Sequence, residues 1–137
     1  MTFQLAPVGK SAAAILDELT RDLPVGGSRK VDRGFGFMAV HVECLHETKL
    51  GSLFSVAHYF ESNGDLVADP DVVFLRRPEG WAPISYRDSI AHCVVARLLD
   101  DGLVEANERG QRVLVRFCQV WLMNIRTQHG VTVRSAR

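Results

Sequence analysis

Two segments rich in apolar residues flank an Asn-Gly pair near the middle of the chain. The first covers residues 53–61, and the second returns through residues 67–76. Asn63 and Gly64 both accept positive φ at low cost, so a two-residue turn there matches the twist of paired strands. The pattern predicts a β-hairpin. Because Pro70 cannot donate a ladder hydrogen bond, we expect the return strand to lie at a sheet edge or to begin at Asp71.

Further strands are predicted on both sides of this hairpin. They cover residues 37–45, 81–86 and 103–106, with turns at 46–51, 78–80 and 101–102. Residues 25–32 are predicted to form a loop. For residues 90–99 both strand and helix remain open, because apolar periodicity alone cannot decide so short a run.

Helical periodicity is present towards both ends of the chain. Ser11 is a suitable N-cap for a helix from residue 12 to about residue 23, which Pro24 and the glycines after it would end. Residues 108–129 predict a longer helix with one apolar stripe, to which Phe117 and Trp121 belong. We expect both aromatic side chains to be buried against the sheet, and the tail 131–137 to be frayed.

The order of these elements predicts one α+β domain over residues 1–137. It consists of an N-terminal helix, an antiparallel β-meander of five to six strands, and a long C-terminal helix packed on the sheet. Hydrophobic residues make up 47% and charged residues 23% of the 137 residues, which is typical of a globular protein. No apolar run reaches membrane-spanning length, and the N-terminal sequence lacks the layout of a signal peptide, so we expect no membrane association.

Charge and cysteine content narrow the classes of function. Lys+Arg and Asp+Glu both number 16, and the resulting zero net charge gives no long-range attraction to nucleic acid or anionic lipid. Cys44, Cys93 and Cys118 lie far apart without a CxxC pair, which argues against a structural zinc site built on thiolates. We predict no metal and no cofactor, and we expect a reducing, cytoplasmic compartment.

One histidine and several carboxylates crowd the predicted hairpin. In a regular register His58 faces Asp69, and Asp71 lies one diagonal away on the same face. The three residues are candidates for acid–base catalysis or metal binding, since a carboxylate raises the pKa of a neighbouring imidazole and fixes its tautomer. The alternative, which we favour, is that the aspartates bond nearby backbone N–H groups in turns and that His58 is an ordinary paired sheet residue.

Basic residues concentrate in two segments. The candidate binding residues are Arg29, Lys30, Arg33, Arg109, Arg112 and Arg116. The last three recur at i, i+3 and i+7 on the polar face of the C-terminal helix, where cations near the helix start oppose the macrodipole and indicate an external anion. Pairing with Glu105 and Glu108 is the alternative, which we favour because charge is the default on an outer helix face.

Residues 33–40 (RGFGFMAV) resemble the RNP1 octamer of RNA-recognition domains, whose aromatic residues stack on bases. Phe35 and Phe37 beside basic residues would form such a stacking surface. That fold, however, needs a further strand between its first helix and the octamer, where this chain has only a glycine-rich loop. The favoured interpretation is a core strand with two buried phenylalanines, which predicts nucleic-acid binding weaker than about 10 μM at physiological salt.

Two segments together resemble a small uncharacterised family of bacterial, phage and plasmid domains. Residues 58–65 (HYFESNGD) and 69–74 (DPDVVF) match its core motif, and residues 81–83 (WAP) fit its next strand. Residues 121–130 (WLMNIRTQHG) resemble its closing helix, with His129 inserted between Gln and Gly. The resemblance covers about residues 37–130 and implies an α+β fold, without an activity or catalytic residues.

These observations rank three functions. First is a non-enzymatic accessory protein that binds another protein and is linked to a mobile element. Second is a nucleic-acid-binding protein that uses the basic loop 29–37 or the Arg stripe 109–116. Third is an acid–base or metal-dependent enzyme centred on His58 and Asp69.

Overall fold

The computed structural model describes residues 5–99, 102 and 104–133. Its main sheet is antiparallel, with six strands in chain order: β1 (Ser28–Val31), β2 (Val40–Thr48), β3 (Gly51–Ser62), β4 (Asp65–Arg77), β5 (Gly80–Arg87) and β6 (His92–Val94). A second sheet pairs β7 (Ala96–Leu98) with β8 (Val104–Ala106), and the helices are α1 (Lys10–Leu19) and α2 (Glu108–His129). The predicted α+β architecture is confirmed. As far as the described residues extend, neither helix is long and apolar enough to cross a membrane.

The β3–β4 hairpin turns at Asn63 and Gly64, as predicted. Their φ values are 53° and 85°, the positive pair that a two-residue hairpin turn requires. Ser62 pairs with Asp65 and Phe60 with Val67, so the predicted register holds near the turn. The turn chemistry in the sequence therefore fixes the first pairs of the ladder.

The register shifts further from the turn. Tyr59 pairs with Ala68, but Ala57 pairs with Asp71, so that His58 lies opposite a bulge at Asp69 and Pro70, which are joined by a cis peptide bond. The expectation that this strand lies at an edge or begins at residue 71 is wrong, because β4 lies between β3 and β5. The β4–β5 ladder begins only at Asp71, so Pro70 lies outside it and leaves none of its hydrogen bonds unmade.

The main sheet buries its two faces differently. The helix-covered face packs on α1 and α2 and carries Val42, Phe54, Val56, Val72 and Phe74. On the second face, one end of the sheet packs against the β7–β8 hairpin and Leu5, through Leu53, Leu75, Ala82 and Ile84. Further along, the second face carries Ser55, Tyr59 and Asp71 around the small side chain of Ala57. Side chains on the helix-covered face therefore cannot contact side chains on the second face, even when they belong to one strand.

α1 differs from its predicted limits. It spans Lys10–Leu19 instead of residues 12–23, and Ser11 lies inside the helix and is not its N-cap. The backbone leaves the helical region at Asp22, whose φ is 61°, and Arg29 caps the end, because its Nη1 donates to the carbonyl oxygen of Leu19 at 2.8 Å and its Nη2 to that of Arg21 at 2.6 Å. These bonds satisfy carbonyl groups that have no partner within the helix.

Three further segments also differ from prediction. The loop predicted at 25–32 contains β1, which pairs with β2 at the sheet edge. Residues 32–39, predicted in part as a core strand, form the β1–β2 loop, because Gly34 and Gly36 adopt φ values of 82° and 83°. Residues 90–99 are neither one strand nor a helix but contain both β6 and β7. Parts of the predicted turn at 101–102, of the strand at 103–106 and of the tail lie outside the described residues.

Candidate functional site

His58 lies on the helix-covered face and is buried. Its Nδ1 donates to the carbonyl oxygen of Ala39 at 3.0 Å, and its ring packs edge-on against Trp121 with 5.6 Å between centroids. Asp69, in the bulge, is exposed. The histidine therefore holds the end of the β1–β2 loop against α2 and, lying opposite the bulge, is not the ordinary paired sheet residue that we favoured from the sequence.

Asp71 lies on the second face, away from His58. Its carboxylate accepts a hydrogen bond from Ser55 Oγ at 2.6 Å and another from Arg87 at 3.3 Å. Burial, and then the charge of Asp71, raise the pKa of Tyr59. The candidate cluster of His58, Asp69 and Asp71 does not form as the regular register implied, because the bulge puts Asp71 opposite Ala57. Asp69 remains near enough for its charge to raise the pKa of His58, against the larger lowering by burial. Nor do the described residues include a group of three His, Cys, Asp or Glu side chains placed to hold a metal.

The burial of His58 predicts a pH dependence of stability. Burial lowers its pKa below the ordinary value of 6.5, and the hydrogen bond to Ala39 opposes this only in part. As the pH falls below about 6.5, the unfolded chain takes up the proton first, so the free energy of unfolding decreases with falling pH until the folded pKa is reached.

Replacing His58 by Asn, which keeps a donor for Ala39, is expected to flatten this dependence between about pH 7 and 5. Urea unfolding at several pH values measures it, and His46→Asn, at an exposed position of β2, is the matched control. An unchanged slope in His58→Asn would show that other groups cause the dependence.

The basic residues of the first segment have separate roles. Arg29 donates hydrogen bonds to carbonyl oxygens at the end of α1, as described above, and thereby stabilises the fold. Lys30 is exposed. The Arg33 guanidinium lies over the ring of Phe35, 5.1 Å from its centroid. Phe35 and Phe37 are 68% and 47% exposed, so the prediction that both are buried in a core strand is wrong.

The three arginines in the first half of α2 are exposed, and each lacks an ion pair within the described part of the chain. In particular, Glu105 and Glu108 do not pair with Arg109, Arg112 or Arg116. The favoured alternative of a self-paired helix face is therefore wrong, and the positive charge of this face remains available to an external anion.

A groove separates the first half of α2 from the sheet edge at β6. It encloses about 560 Å³, and its mainly apolar lining includes Tyr86, Cys93, Val95, Val113, Leu114 and Phe117. Arg109 also lines it. We call it the α2–β6 groove. A thiol, a phenol and aliphatic side chains suit an apolar ligand with few polar groups.

Phe117 forms one wall of this groove. Its ring stacks on Trp121 at 5.8 Å and meets the ring of Tyr86 edge-on at 5.5 Å. Trp121 is buried, as predicted, but Phe117 is 38% exposed, so its predicted burial against the sheet is wrong. The Tyr86 hydroxyl donates to Asp88 at 2.6 Å, and burial together with this bond raises the pKa of Tyr86 to about 12.

Exposed apolar residues extend the groove along α2. Val113, Phe117 and Val120 recur at i, i+4 and i+7 and form an outer apolar stripe, separate from the stripe that faces the core. The apolar periodicity of the sequence does not separate these three residues from the stripe that faces the core. The width of the apolar surface of this helix distinguishes the outer residues, because it exceeds what one core-facing stripe needs.

Comparison with known proteins gives one family. A family model described as a domain of unknown function (DUF6908) matches residues 10–131. No curated protein and no solved structure matches the chain. The match confirms the predicted membership of an uncharacterised domain family and adds no residue roles to the geometry described above.

Proposed function

Because the chain belongs to the DUF6908 family, whose description assigns no activity, we propose its function from its surface: it is a protein-binding module. The α2–β6 groove and the outer stripe beside it hold an acidic, partly apolar segment of another protein. The proposal includes a cytoplasmic partner, because all three cysteines are free. The link to a bacterial mobile element rests on the family resemblance alone.

The observation that carries the proposal is the exposed apolar surface of the groove. Three large apolar side chains, Val113, Phe117 and Val120, are at least 38% exposed on consecutive turns of one helix. Single exposed apolar residues are normal on a protein surface, whereas a continuous patch beside a concave apolar groove marks a site of association. Phe117 supplies the aromatic anchor that such sites commonly use.

Charge indicates the chemistry of the partner. Arg109 lines the groove, and Arg112 and Arg116 lie on the same exposed half of α2. Carboxylates of a bound segment would complement these cations, which have no acidic partner among the described residues. Apolar contact would supply most of the affinity, and the arginines would set the orientation and the rate of association.

The polar cluster on the second face supports an enzyme less well. Asp71 is already bonded to Ser55 and Arg87, and His58, the expected base, lies on the other face of the sheet. A nucleophile needs a base within hydrogen-bond reach, and these contacts do not bring Ser55 and His58 together.

Site-specific cross-linking, followed by titration, tests the proposal. A photo-reactive benzoylphenylalanine in place of Val113 identifies the bound protein in cells, and the same substitution at Leu66, an exposed apolar residue of the β3–β4 hairpin, is the control. The captured partner is then purified and titrated by calorimetry. Val113→Asp is expected to weaken its binding at least about 30-fold, the scale of an interface hot spot, while Leu66→Asp has no effect.

Cys93 gives an independent measurement at the same site. It lines the groove and is exposed, whereas Cys44 and Cys118 are buried. Bound partner is expected to slow the alkylation of this one thiol.

Equal affinity of the wild type and Val113→Asp would refute the proposal. So would a groove that binds only anionic lipid vesicles, or one that is covered by a second copy of the chain in sedimentation experiments.

A further inference from the structure

The β1–β2 loop presents two aromatic rings to solvent at a place that the proposed protein-binding groove does not use. Phe35 and Phe37 are exposed, and Met38 beside them is 41% exposed. Burying such side chains stabilises a fold by about 1.5–3 kcal/mol each, so two neighbouring rings left in water indicate a surface that another molecule covers.

The backbone of the loop holds the rings outward. Asp32 Oδ1 accepts the N–H of Gly34 at 2.9 Å, and both Gly34 and Gly36 have positive φ. A Cβ added at either glycine would meet no atom within 4 Å, so these glycines are needed for their conformation and not for space. The loop that contains the two glycines therefore extends into solvent.

The far end of the loop is fixed to the body of the protein. His129 Nε2 donates to the carbonyl oxygen of Met38 at 2.9 Å, and its Nδ1 accepts the N–H of Arg33 at 3.3 Å. Together with the bond between His58 and Ala39, these contacts hold both sides of the loop. The rings are therefore presented at low entropic cost to a ligand.

The charge beside the rings is positive. The Arg33 guanidinium lies over the ring of Phe35, and Lys30, three residues earlier on edge strand β1, is exposed. Neither cation has an ion pair within the described residues. Exposed aromatic rings next to unpaired Arg and Lys are the combination that binds single-stranded nucleic acid, in which bases stack on rings and cations contact phosphates.

We propose that the β1–β2 loop binds single-stranded nucleic acid by stacking unpaired bases on Phe35 and Phe37, with Arg33 and Lys30 on the backbone phosphates. The whole chain has no net charge, so no long-range field adds to these local contacts. Binding is therefore weak and confined to the loop. Duplexes bind less well than single strands, because their bases are already stacked on each other.

Fluorescence anisotropy with labelled oligothymidine, oligouridine and a duplex of equal length tests the proposal at low and at physiological salt. Wild-type protein is expected to bind both single strands in the micromolar range at low salt, and to lose affinity with a log–log slope of about −0.7 to −1.4 for one or two phosphate contacts. Phe35→Ala combined with Phe37→Ala is expected to weaken binding at least about tenfold, and Phe35→Trp to preserve it.

Leu66→Ala removes an equally exposed apolar side chain from the β3–β4 hairpin and is the matched control, with no expected change in affinity. The loop variants are expected to keep the wild-type circular dichroism, with only a small drop in melting temperature from the lost edge-on contact of Phe37 with His129. No saturable binding would overturn the inference. The same holds for equal affinity for the duplex, for loss of binding only on Arg112→Ala with Arg116→Ala, or for binding of the loop to anionic vesicles alone. Of these results, only a loss on Arg112→Ala with Arg116→Ala concerns the α2–β6 groove, because these arginines lie on the exposed half of α2 beside it; the others leave the proposed protein-binding site untouched.

Discussion

Replacing Gly51 by alanine is expected to lower the free energy of unfolding by at least about 3 kcal/mol, because two penalties combine. Gly51 has a φ of 148°, a conformation that residues with a Cβ rarely adopt. A Cβ at this position would also overlap the backbone carbonyl oxygen of Arg76 on the neighbouring strand β4. Backbone cannot move aside as a flexible side chain does, so relief requires that β3 and β4 separate at this end.

Gly26→Ala separates the two penalties. Gly26 also has a positive φ, of 82°, but a Cβ there would meet no atom within 4 Å. Gly26→Ala is expected to lower the free energy of unfolding by only about 1–2 kcal/mol, because only the conformational penalty applies. Urea unfolding of both variants, followed by the fluorescence of the two tryptophans, gives the comparison. Equal losses in the two variants would show that the clash with Arg76 is relieved without cost.

A second large effect is expected at Gln111, a fully buried amide in α2. Its Oε1 accepts the N–H of Ala6 at 2.9 Å, and its Nε2 donates to the carbonyl oxygens of Ala6 and Pro83 at 2.8 and 3.3 Å. Gln111→Leu keeps the volume but leaves these backbone groups without a partner. At about 1–3 kcal/mol for each unsatisfied buried group, we expect a loss of roughly 3–5 kcal/mol in the free energy of unfolding.

Gln119 provides the matched control in the same helix. Its Oε1 accepts the N–H of Gly9 at 2.7 Å, but this contact is exposed, so water replaces the lost partner in Gln119→Leu. Its expected cost is below about 1 kcal/mol. Urea unfolding and proteolysis of the segment 5–9 measure both variants. A Gln111→Leu protein as stable as Gln119→Leu would mean that Ala6 and Pro83 find other partners.

Local chemistry accounts for the parts of the fold that the sequence predicted. The Asn63-Gly64 turn and the apolar periodicity of α2 depend on neighbouring residues, and both appear where expected. The bulge opposite His58 does not follow from such rules, because a regular register was equally consistent with the residues of both strands. The pairing of Ala57 with Asp71 depends on the whole sheet, and it alone separates His58 from Asp71.

The prediction of burial was wrong for one reason at Phe35, Phe37 and Phe117. Apolar character shows that a side chain favours burial, but not that the chain provides a partner for it. For Phe35 and Phe37, the positive φ of two glycines turns the backbone out of a strand. For Phe117, the helix position lies at the border of the core-facing stripe, and only the path of β6 beside α2 leaves a groove there. The candidate binding surfaces therefore lie where apolar side chains were predicted to be buried but are exposed in the structure.

The bonds of Gln111 to Ala6 join residues 105 positions apart, whereas each strand of the six-stranded sheet pairs with its neighbours in the chain. On a ribosome, each hairpin of the meander can pair soon after its second strand emerges. Ala6, which precedes every strand of the sheet, lacks the Gln111 amide as its partner until α2 has been made. The bonds of Ala6 are thus among the last of this segment to form, whereas Val8 can donate to the carbonyl oxygen of Trp81 as soon as β5 is made.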